Sequence, residues 1–401
     1  MSQAKLRLLV LASTYPRWAG DPEPGFVHEL SKRLVKYFDV TVLCPHSQGA
    51  HTNDLMDGVR IIRYRYAPSR FEKLVNDGGI MTNLRRHPWM MLLLPGFIFS
   101  QLVWLWRLTA GRKTDVVHAH WIVPQGFLMA LLKVLGRRVP FMVTAHGADV
   151  FALRGKFFAS LKNFTLRQAS LVSVVSSAMK QKLADAVAEE KIVVEPMGVD
   201  LQQRFFVDSA IERHSGEILF VGRLVEKKGL RFLIQALPRV LQKGVQVRLL
   251  VAGFGPELAN LQQQVSALGL QNQVTFLGAV SQSELPDFYR RASVFAAPFI
   301  EAGSGDQEGL GLVVIEALGC GCEVLISDLP ATREFGEIKG LSRVPAANSE
   351  ALADQLIKIL SQPSRQNAQK PDEAIMRFDW ETRADAYAGH LLKIAGERVV
   401  S

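Results

Sequence analysis

The sequence predicts an α/β protein of two doubly wound, Rossmann-like domains, each a parallel sheet with helices on both faces. Short apolar runs rich in β-branched residues alternate with segments of helical spacing, the pattern of a parallel sheet covered on both sides. That alternation stops at a polar stretch near residues 200–216 and then restarts. The chain also has 401 residues, more than the roughly 250–300 at which a single core stops growing.

The first set of strands is read at Leu6–Ala12, Val40–Leu43, Val59–Tyr64, Val116–His120, Phe141–Ala145, Leu171–Ser176 and Ile192–Glu195. Helical spacing separates several of them, as in Phe26–Phe38, Gln125–Leu135 and Arg154–Arg167. The second set is read at Ile218–Val221, Val247–Ala252, Val274–Leu277, Val294–Ala297 and Val324–Ile326. Residues 1–200, 201–372 and 373–401 are therefore expected to form a first domain, a second domain and a closing helical segment. The two domains are expected to face each other across a cleft. In such sheets ligands bind at the carboxyl ends of the strands.

Composition narrows the function. A formal net charge of +9 attracts phosphate-bearing partners. There is no Lys/Arg-rich tail and no interleaving of basic and aromatic residues, so nucleic acid is not expected. Cys44, Cys320 and Cys322 are too few for a disulfide framework, and Cys320-Gly321-Cys322 lacks the second pair a zinc site needs. Reduced, structural thiols in a cytoplasmic protein are expected. Lys5 and Arg7 interrupt the opening apolar run, which argues against a secretory leader.

Three strand ends in the second half point at one phosphate-bearing ligand. After Phe220-Val221 come Gly222-Arg223-Leu224 and Lys227-Lys228-Gly229. Gly222 permits a tight turn, Arg223 offers a planar fork to phosphate oxygens, and Lys228 adds a point charge. After the next strand, Gly253-Phe254-Gly255 lets a backbone approach closely. After Val294–Ala297 come Pro298 and an acidic, Gly-rich loop: Glu308-Gly309-Leu310-Gly311, with Glu316 eight residues beyond Glu308. At helical rise those carboxylates stand roughly 12 Å apart, within about 80° of one face. Bare amides at Gly309–Gly311 would face an anion or a hydroxyl. The spacing exceeds the roughly 5–9.5 Å of a glycosidase carboxylate pair. The pair therefore reads as two holders of an elongated ligand rather than as an acid/base couple. The bland alternative is a capped amphipathic helix.

Together these motifs resemble the retaining glycosyltransferases of family 4, which have the GT-B architecture, and the resemblance covers nearly the whole chain. Glu308 to Glu316 match the family's E-x7-E motif. Pro196-Met197-Gly198-Val199-Asp200 resembles its Pro-Asn-Gly-Val-Asp turn between domains. Phe378-Asp379-Trp380-Glu381 resembles the element opening the last helix, which in the family crosses back onto the N-terminal domain. The resemblance implies that residues 1–200 serve the acceptor and 201–372 bind a nucleotide-diphosphate sugar, UDP- or GDP-linked. It implies that Arg223 and Lys228 hold the diphosphate and that Glu316 holds the ribose hydroxyls. Glu308, with the amides of Gly309, Leu310 and Gly311, would hold a sugar hydroxyl. Gly222 shapes the phosphate turn. Transfer of a hexosyl unit is expected to retain configuration without metal or other cofactor, the two cations stabilising the leaving diphosphate. A glycan or lipid-linked acceptor is expected. A nucleotide-sugar epimerase, a phosphorylase or a non-catalytic sugar-nucleotide binder shares the architecture but explains these motifs less well. Base recognition is expected from backbone near Gly278–Ser281.

In the first half, Thr144-Ala145-His146-Gly147-Ala148-Asp149 resembles the family's Thr-x-His-Gly-x-Asp segment, which places His146 near the transferred sugar. A neutral imidazole there would bond a hydroxyl or stabilise developing charge. His118 and His120 share one strand face, but two histidines without a third ligand do not make a metal site. They read as pocket lining or packing. The loop Ser13–Gly25 departs from the family's Gly-Gly pair: only Gly25 stands before the helix, which weakens its expected role at the donor phosphate.

Residues 88–106 carry no formal charge. Length alone permits a membrane span. Pro95-Gly96 falls in the middle, however, and a sheet must continue on both sides. Arg85, Arg86 and Arg107 flank the segment, and Trp89, Trp104 and Trp106 lie within it. The expectation is a helical hairpin at an anionic membrane surface, on the inner face of the cell membrane, with Arg154–Arg167 extending the same basic, aromatic surface.

Overall fold

The computed structural model of the protein describes residues 5–21, 25–76, 79–151, 153–361 and 371–400. Residues 1–4 and 22–24 of the stretches read above lie outside these. The chain divides into two compact units. One holds Met1–Val175, Met179–Met197 and Glu381–Ser401; the other holds Ser176–Ala178 and Gly198–Trp380.

The first unit contains an eight-stranded sheet. Its strands are β1 (Leu6–Leu11), β2 (Phe38–Pro45), β3 (Asn53–Met56), β4 (Val59–Tyr64), β5 (Val116–His120), β6 (Phe141–Ala145), β7 (Leu171–Val174) and β8 (Ile192–Val194). The spatial order is β3-β4-β2-β1-β5-β6-β7-β8. The chain winds outward in both directions from β1, so the switch point lies between β1 and β5, where open α/β sheets leave a crevice. All neighbours pair in parallel except β3 and β4. That hairpin was not read from sequence. Its turn is Asp57-Gly58, both with positive φ, the two-residue connection whose twist suits a hairpin.

The second unit contains a six-stranded parallel sheet: β9 (His214–Val221), β10 (Arg248–Ala252), β11 (Val274–Gly278), β12 (Ala292–Ala297), β13 (Glu323–Asp328) and β14 (Leu341–Pro345). Its order is β11-β10-β9-β12-β13-β14. The switch point lies between β9 and β12, the strands that feed Gly222 and Pro298. Ile218, Phe220, Leu249, Val251, Val294 and Leu325 are buried in its core beneath the helix Leu230–Gln242. Strand β14 was also missed: Leu-Ser-Arg-Val-Pro is polar and ends in proline, which only an edge strand tolerates.

The segment around Val199 runs beside the start of the last helix. The Val199 amide donates to Phe378 O at 2.8 Å, and the Trp380 amide donates to Val199 O at 3.1 Å. The boundaries differ from the sequence reading in three places. Residues 198–200, read as the end of the first domain, already belong to the second unit. Residues 373–380 stay with the second unit, and the helix Trp380–Val400 joins the first from Glu381 onward. Residues 176–178, read as part of the first domain, go with the second, where the Ser177 amide donates to Glu334 at 2.7 Å. Within the first unit, Glu195 accepts from Arg383 at 2.9 Å and meets His390 at 3.1 Å, while Tyr387 donates to the Glu195 carbonyl at 2.7 Å.

Residues 88–108 correct the expected hairpin. A 3-10 turn, Pro88–Leu93, runs directly into the helix Leu94–Leu108. Pro95 sits in that helix's first turn, where its missing N–H has no intrahelical partner to lose. Together they make one 21-residue helix, apolar and long enough to cross a membrane. A stripe at Phe97, Gln101 and Leu105 is fully buried. It packs on β4, with Phe97 against Tyr64 and Tyr66 and the Tyr64 hydroxyl donating to Gln101 at 3.3 Å. The helix connects β4 to β5, two strands of one sheet, so the chain returns to the side it left. Its opposite face is open: Leu92 is 82% exposed, Phe99 68% and Met91 61%, with Trp89 and Trp106 also exposed.

Candidate functional site

In the second unit, the β9 end and the β12 end are tied together by backbone. After Val221 the chain passes through Gly222 and the exposed Arg223 into a 3-10 turn, Glu226–Lys228. Gly229 follows with φ +66°, and a Cβ there would stand 1.8 Å from the Pro298 carbonyl. Only glycine lets the two strand ends approach this closely. The approach aims Lys228 across the β12 loop, with Nζ 2.7 Å from Glu308 Oε2 and 4.7 Å from the centre of the Phe299 ring.

Two side chains, Lys227 and Glu226, hold the Glu308 loop. Lys227 Nζ lies 3.2 Å from Asp306 Oδ1 and donates to Gln307 O at 3.0 Å. Glu226 accepts from the Gly303 amide at 3.1 Å. Burial works to raise the Glu308 pKa, but the charges of Lys228 and Lys227, the Lys228 contact and the Gly309 amide outweigh it and bring it down to about 2. Glu308 is therefore a carboxylate at any physiological pH.

The helix that follows starts later than the spacing suggested. It spans Val313–Gly319, so Glu308 lies outside it. Gly311, at φ +90°, turns the chain between the two glutamates, and a Cβ there would meet Phe299 at 2.7 Å. The roughly 12 Å helical separation and the shared helix face therefore do not apply to Glu308 and Glu316. Among the described residues no group accepts from the amides of Leu310, Gly311 or Leu312, which leaves a run of donors beside Glu308.

Glu316 stands in the first turn of that helix and accepts from the Tyr289 hydroxyl at 2.9 Å. Burial raises its pKa to about 7, against the lowering pull of Tyr289, Arg204 and Lys228. One lysine thus acts on both glutamates. Gly222, Arg223, Lys228, Glu308 to Gly311 and Glu316 all belong to the carboxyl-end side of β9 and β12. Sequence reasoning missed Tyr289, Arg204, Asp306 and Phe299. Tyr289 and Arg204 lie in other elements and form no motif of their own; Phe299, Asp306 and Lys227 stand within the stretches read but were given no role.

In the first unit, His146 follows β6. Asp149 organises its loop: one carboxylate oxygen accepts from the His146 amide at 3.0 Å and the other from the Ile122 amide at 2.9 Å. The loops after β5 and β6 are thereby fastened together. Asp149 is buried, so replacing it with alanine leaves two donors unmet, at ~1–3 kcal/mol for each that stays buried. Asp149→Ala is expected to lower unfolding stability by about 2 kcal/mol or more in urea denaturation. A wild-type midpoint would remove this strut.

Phe26 and Trp121 flank the His146 ring, at centroid distances of 4.9 and 5.0 Å. His118 and His120 are fully buried, which decides for packing rather than pocket lining. His118 Nε2 meets Thr144 Oγ1 at 2.7 Å, and Thr144 meets Ser173 at 2.6 Å. Gly25 caps the helix Phe26–Leu34, its carbonyl accepting from the Glu29 amide at 2.8 Å. The loop before it is pinned by the buried Arg63, whose guanidinium donates to Pro16 O at 2.8 Å and Arg17 O at 3.2 Å. Arg63 was not singled out in the sequence, because nothing local marks an arginine on a strand as buried.

Comparison with known proteins matches this arrangement. The family described as Glycosyltransferase Family 4 matches residues 26–203, and Glycosyl transferases group 1 matches residues 202–374. The phosphatidyl-myo-inositol mannosyltransferase of Mycobacterium leprae is 30% identical over 279 residues, covering 67% of this chain and 71% of that one. The GDP-mannose-dependent alpha-(1-6)-phosphatidylinositol monomannoside mannosyltransferase of Mycolicibacterium smegmatis is 27% identical over 333 residues, 79% of each chain. Sucrose-phosphate synthase of Thermosynechococcus elongatus superposes with a TM-score of 0.78 at 20% identity, over 99% of this chain and 100% of its own. With two parallel-sheet α/β domains and these matches, the chain belongs to the GT-B glycosyltransferases of family 4.

Proposed function

We propose that the protein transfers a hexosyl unit from a nucleotide-diphosphate sugar to a lipid-linked acceptor, with retention of configuration and without a metal or other cofactor. The observation that carries this reading is the joined Lys228–Glu308 pair at the β9/β12 switch point, with Arg223 on the same loop and Glu316 within reach of the Lys228 charge. Arg223 and Lys228 take the diphosphate, and Lys228 stabilises the charge that grows on it as the glycosidic bond breaks. Glu308, held ionised by Lys228 and its own Gly309 amide, accepts from a sugar hydroxyl, and the Leu310 and Gly311 amides donate to others. Glu316 accepts from the ribose. His146 contributes a neutral imidazole, since burial, with a smaller push from His118, lowers its pKa to about 3. Glu308 is not assigned as a nucleophile: a carboxylate paired with lysine is a poor one. The leaving phosphate oxygen takes the acceptor proton.

The relatives' names support GDP-mannose as the first donor to test and a phosphoinositide-type lipid as the first acceptor. Purified protein incubated with labelled GDP-mannose or UDP-hexoses and a lipid extract should move label into the lipid fraction. Label that stays in free, interconverted sugar nucleotide would mark an epimerase instead. Label that stays wholly on the starting donor would refute the transferase reading.

The same reading includes attachment to the inner face of the cell membrane. The exposed Met91, Leu92, Phe99 and Trp106 on one helix face, with the exposed Arg85, Arg86 and Arg107 beside them, suit an anionic lipid surface. Three buried free cysteines fit a reducing compartment. Sedimentation with vesicles should carry the protein down when anionic lipid is present and release it at high salt. Leu92→Gln with Phe99→Gln should weaken binding about tenfold or more, as expected for losing two buried apolar side chains. Equal binding to neutral vesicles, or none to anionic ones, would overturn the attachment.

A further inference from the structure

The proposed role of His146 uses one imidazole, yet three are connected at the ends of β5 and β6. His120 Nδ1 lies 2.9 Å from His146 Nε2. The two ring planes differ by only 12°, with centroids 5.2 Å apart. That separation matches the contact plus the two ring radii, its largest possible value, so the rings meet edge to edge in an in-plane N–H···N bond. His118 backs His120 at a centroid distance of 4.2 Å and is itself fixed by Thr144.

Both bonded rings are neutral. Burial and then repulsion from His118 and His146 push the His120 pKa well down, and burial does the same to His146. A neutral ring has one N–H, so the direction of this bond decides what the other nitrogen of His146 presents. If His146 donated from Nε2, His120 would carry its proton on its own Nε2. That atom is buried with no partner, and an orphaned buried N–H is rarer than an orphaned acceptor. If His120 donates from Nδ1, only a lone pair is left unmatched there. His146 then carries its proton on Nδ1. Of the three rings, His146 is the one that retains solvent exposure.

We infer that His120 is a positioning residue for His146: its Nδ1–H donates to His146 Nε2 and fixes the tautomer in which His146 offers an Nδ1–H to an oxygen of the bound ligand. A donor held in this way needs no reorientation when charge develops on that oxygen. The inference rests on the proposed participation of His146 in transfer, and the test separates the two.

Nitrogen-15 NMR of the full-length protein labelled at histidine, assigned with His146→Ala, reads the tautomer directly. The wild type should carry the His146 proton on Nδ1. His120→Asn should preserve it, because the asparagine amide nitrogen takes the place of Nδ1. His120→Leu should shift His146 toward the Nε2–H form and lower kcat on the order of tenfold, with a smaller change in the donor KM. A wild-type His146 protonated on Nε2 overturns the inference, as do an unaltered tautomer and kcat in His120→Leu. Should the leucine variant not fold, the wild-type and asparagine spectra still decide. Unchanged turnover in His146→Ala would instead refute the role of His146 in transfer, whichever nitrogen bears its proton.

Discussion

Lys228→Met is expected to lower kcat by on the order of 10²-fold or more, the usual cost of removing a preorganised charge from a developing anion. Methionine keeps the stem over Phe299 and removes only the charge, so the loss is electrostatic. The turn at Gly229 aims the ammonium before any ligand arrives, and its partner Glu308 at 2.7 Å keeps it there. Measured at saturating donor, turnover within a few-fold of wild type would refute the role. The same variant has a second readout. Glu308 is depressed to about 2 against burial largely by Lys228. A carboxyl whose folded pKa lies below its ordinary value of 4.5 adds stability that is present above that value and lost as pH falls toward the folded one. Wild type should therefore lose melting temperature between about pH 4.5 and pH 2 through this group. In Lys228→Met the carboxyl loses its main attractor, burial pushes it up, and that acid-side contribution should shrink. A melting profile against pH with the same acid limb in both proteins would show that Lys227 and the Gly309 amide suffice to hold Glu308 ionised.

Much of the fold was legible because parallel strands buried on both faces leave continuous apolar runs, and those runs recurred with helices between them. What escaped was polar or edge structure. Asn53–Met56 has no apolar run, although its Asp57-Gly58 turn was a local signal that could have revealed the hairpin. Pro95 was read as a break because proline disrupts helix interiors; in the first turn of a helix it does not.

At the candidate site, Arg223 and Lys228 could be singled out because both stand in the short connection that follows a strand end, Arg223 two residues after it and Lys228 seven. The geometry of Glu308 and Glu316 was not. Helical rise was applied across Gly311, and a single residue at φ +90° cancels that arithmetic. Tyr289 was invisible for a different reason. Its partnership with Glu316 joins two helices 27 residues apart, and no local pattern encodes such a contact. The pairing of His120 with His146 is likewise a product of β5 lying beside β6, a neighbour relation that strand order alone supplies.

Glu316 yields the second large effect, and its sign follows from its environment. Burial raises it to about 7, opposed by the Tyr289 hydroxyl, Arg204 and Lys228, so near neutrality it is part protonated and part ionised. The carboxylate offers both oxygens as charged acceptors to the two ribose hydroxyls, whereas the protonated form turns one of them into a donor. Donor binding favours the ionised form, so the donor Kd should fall as pH rises from about 6 to about 8, bracketing the value near 7. Linkage requires that donor binding in turn lower the pKa of this group. Glu316→Gln keeps one acceptor oxygen and removes the charge. Hydrogen bonds to a charged group contribute about 1.5–3 kcal/mol, so the variant should bind donor roughly 10- to 100-fold more weakly at pH 8, with no pH dependence from this group. Tyr289→Phe removes a hydrogen bond that favours the carboxylate, so it should move the binding transition to higher pH and leave the affinity at its alkaline end largely intact. Calorimetric titration across the pH series distinguishes these outcomes. A flat profile in wild type, or the same slope in Glu316→Gln, would mean that Glu316 does not hold the ribose and that its raised pKa records burial alone.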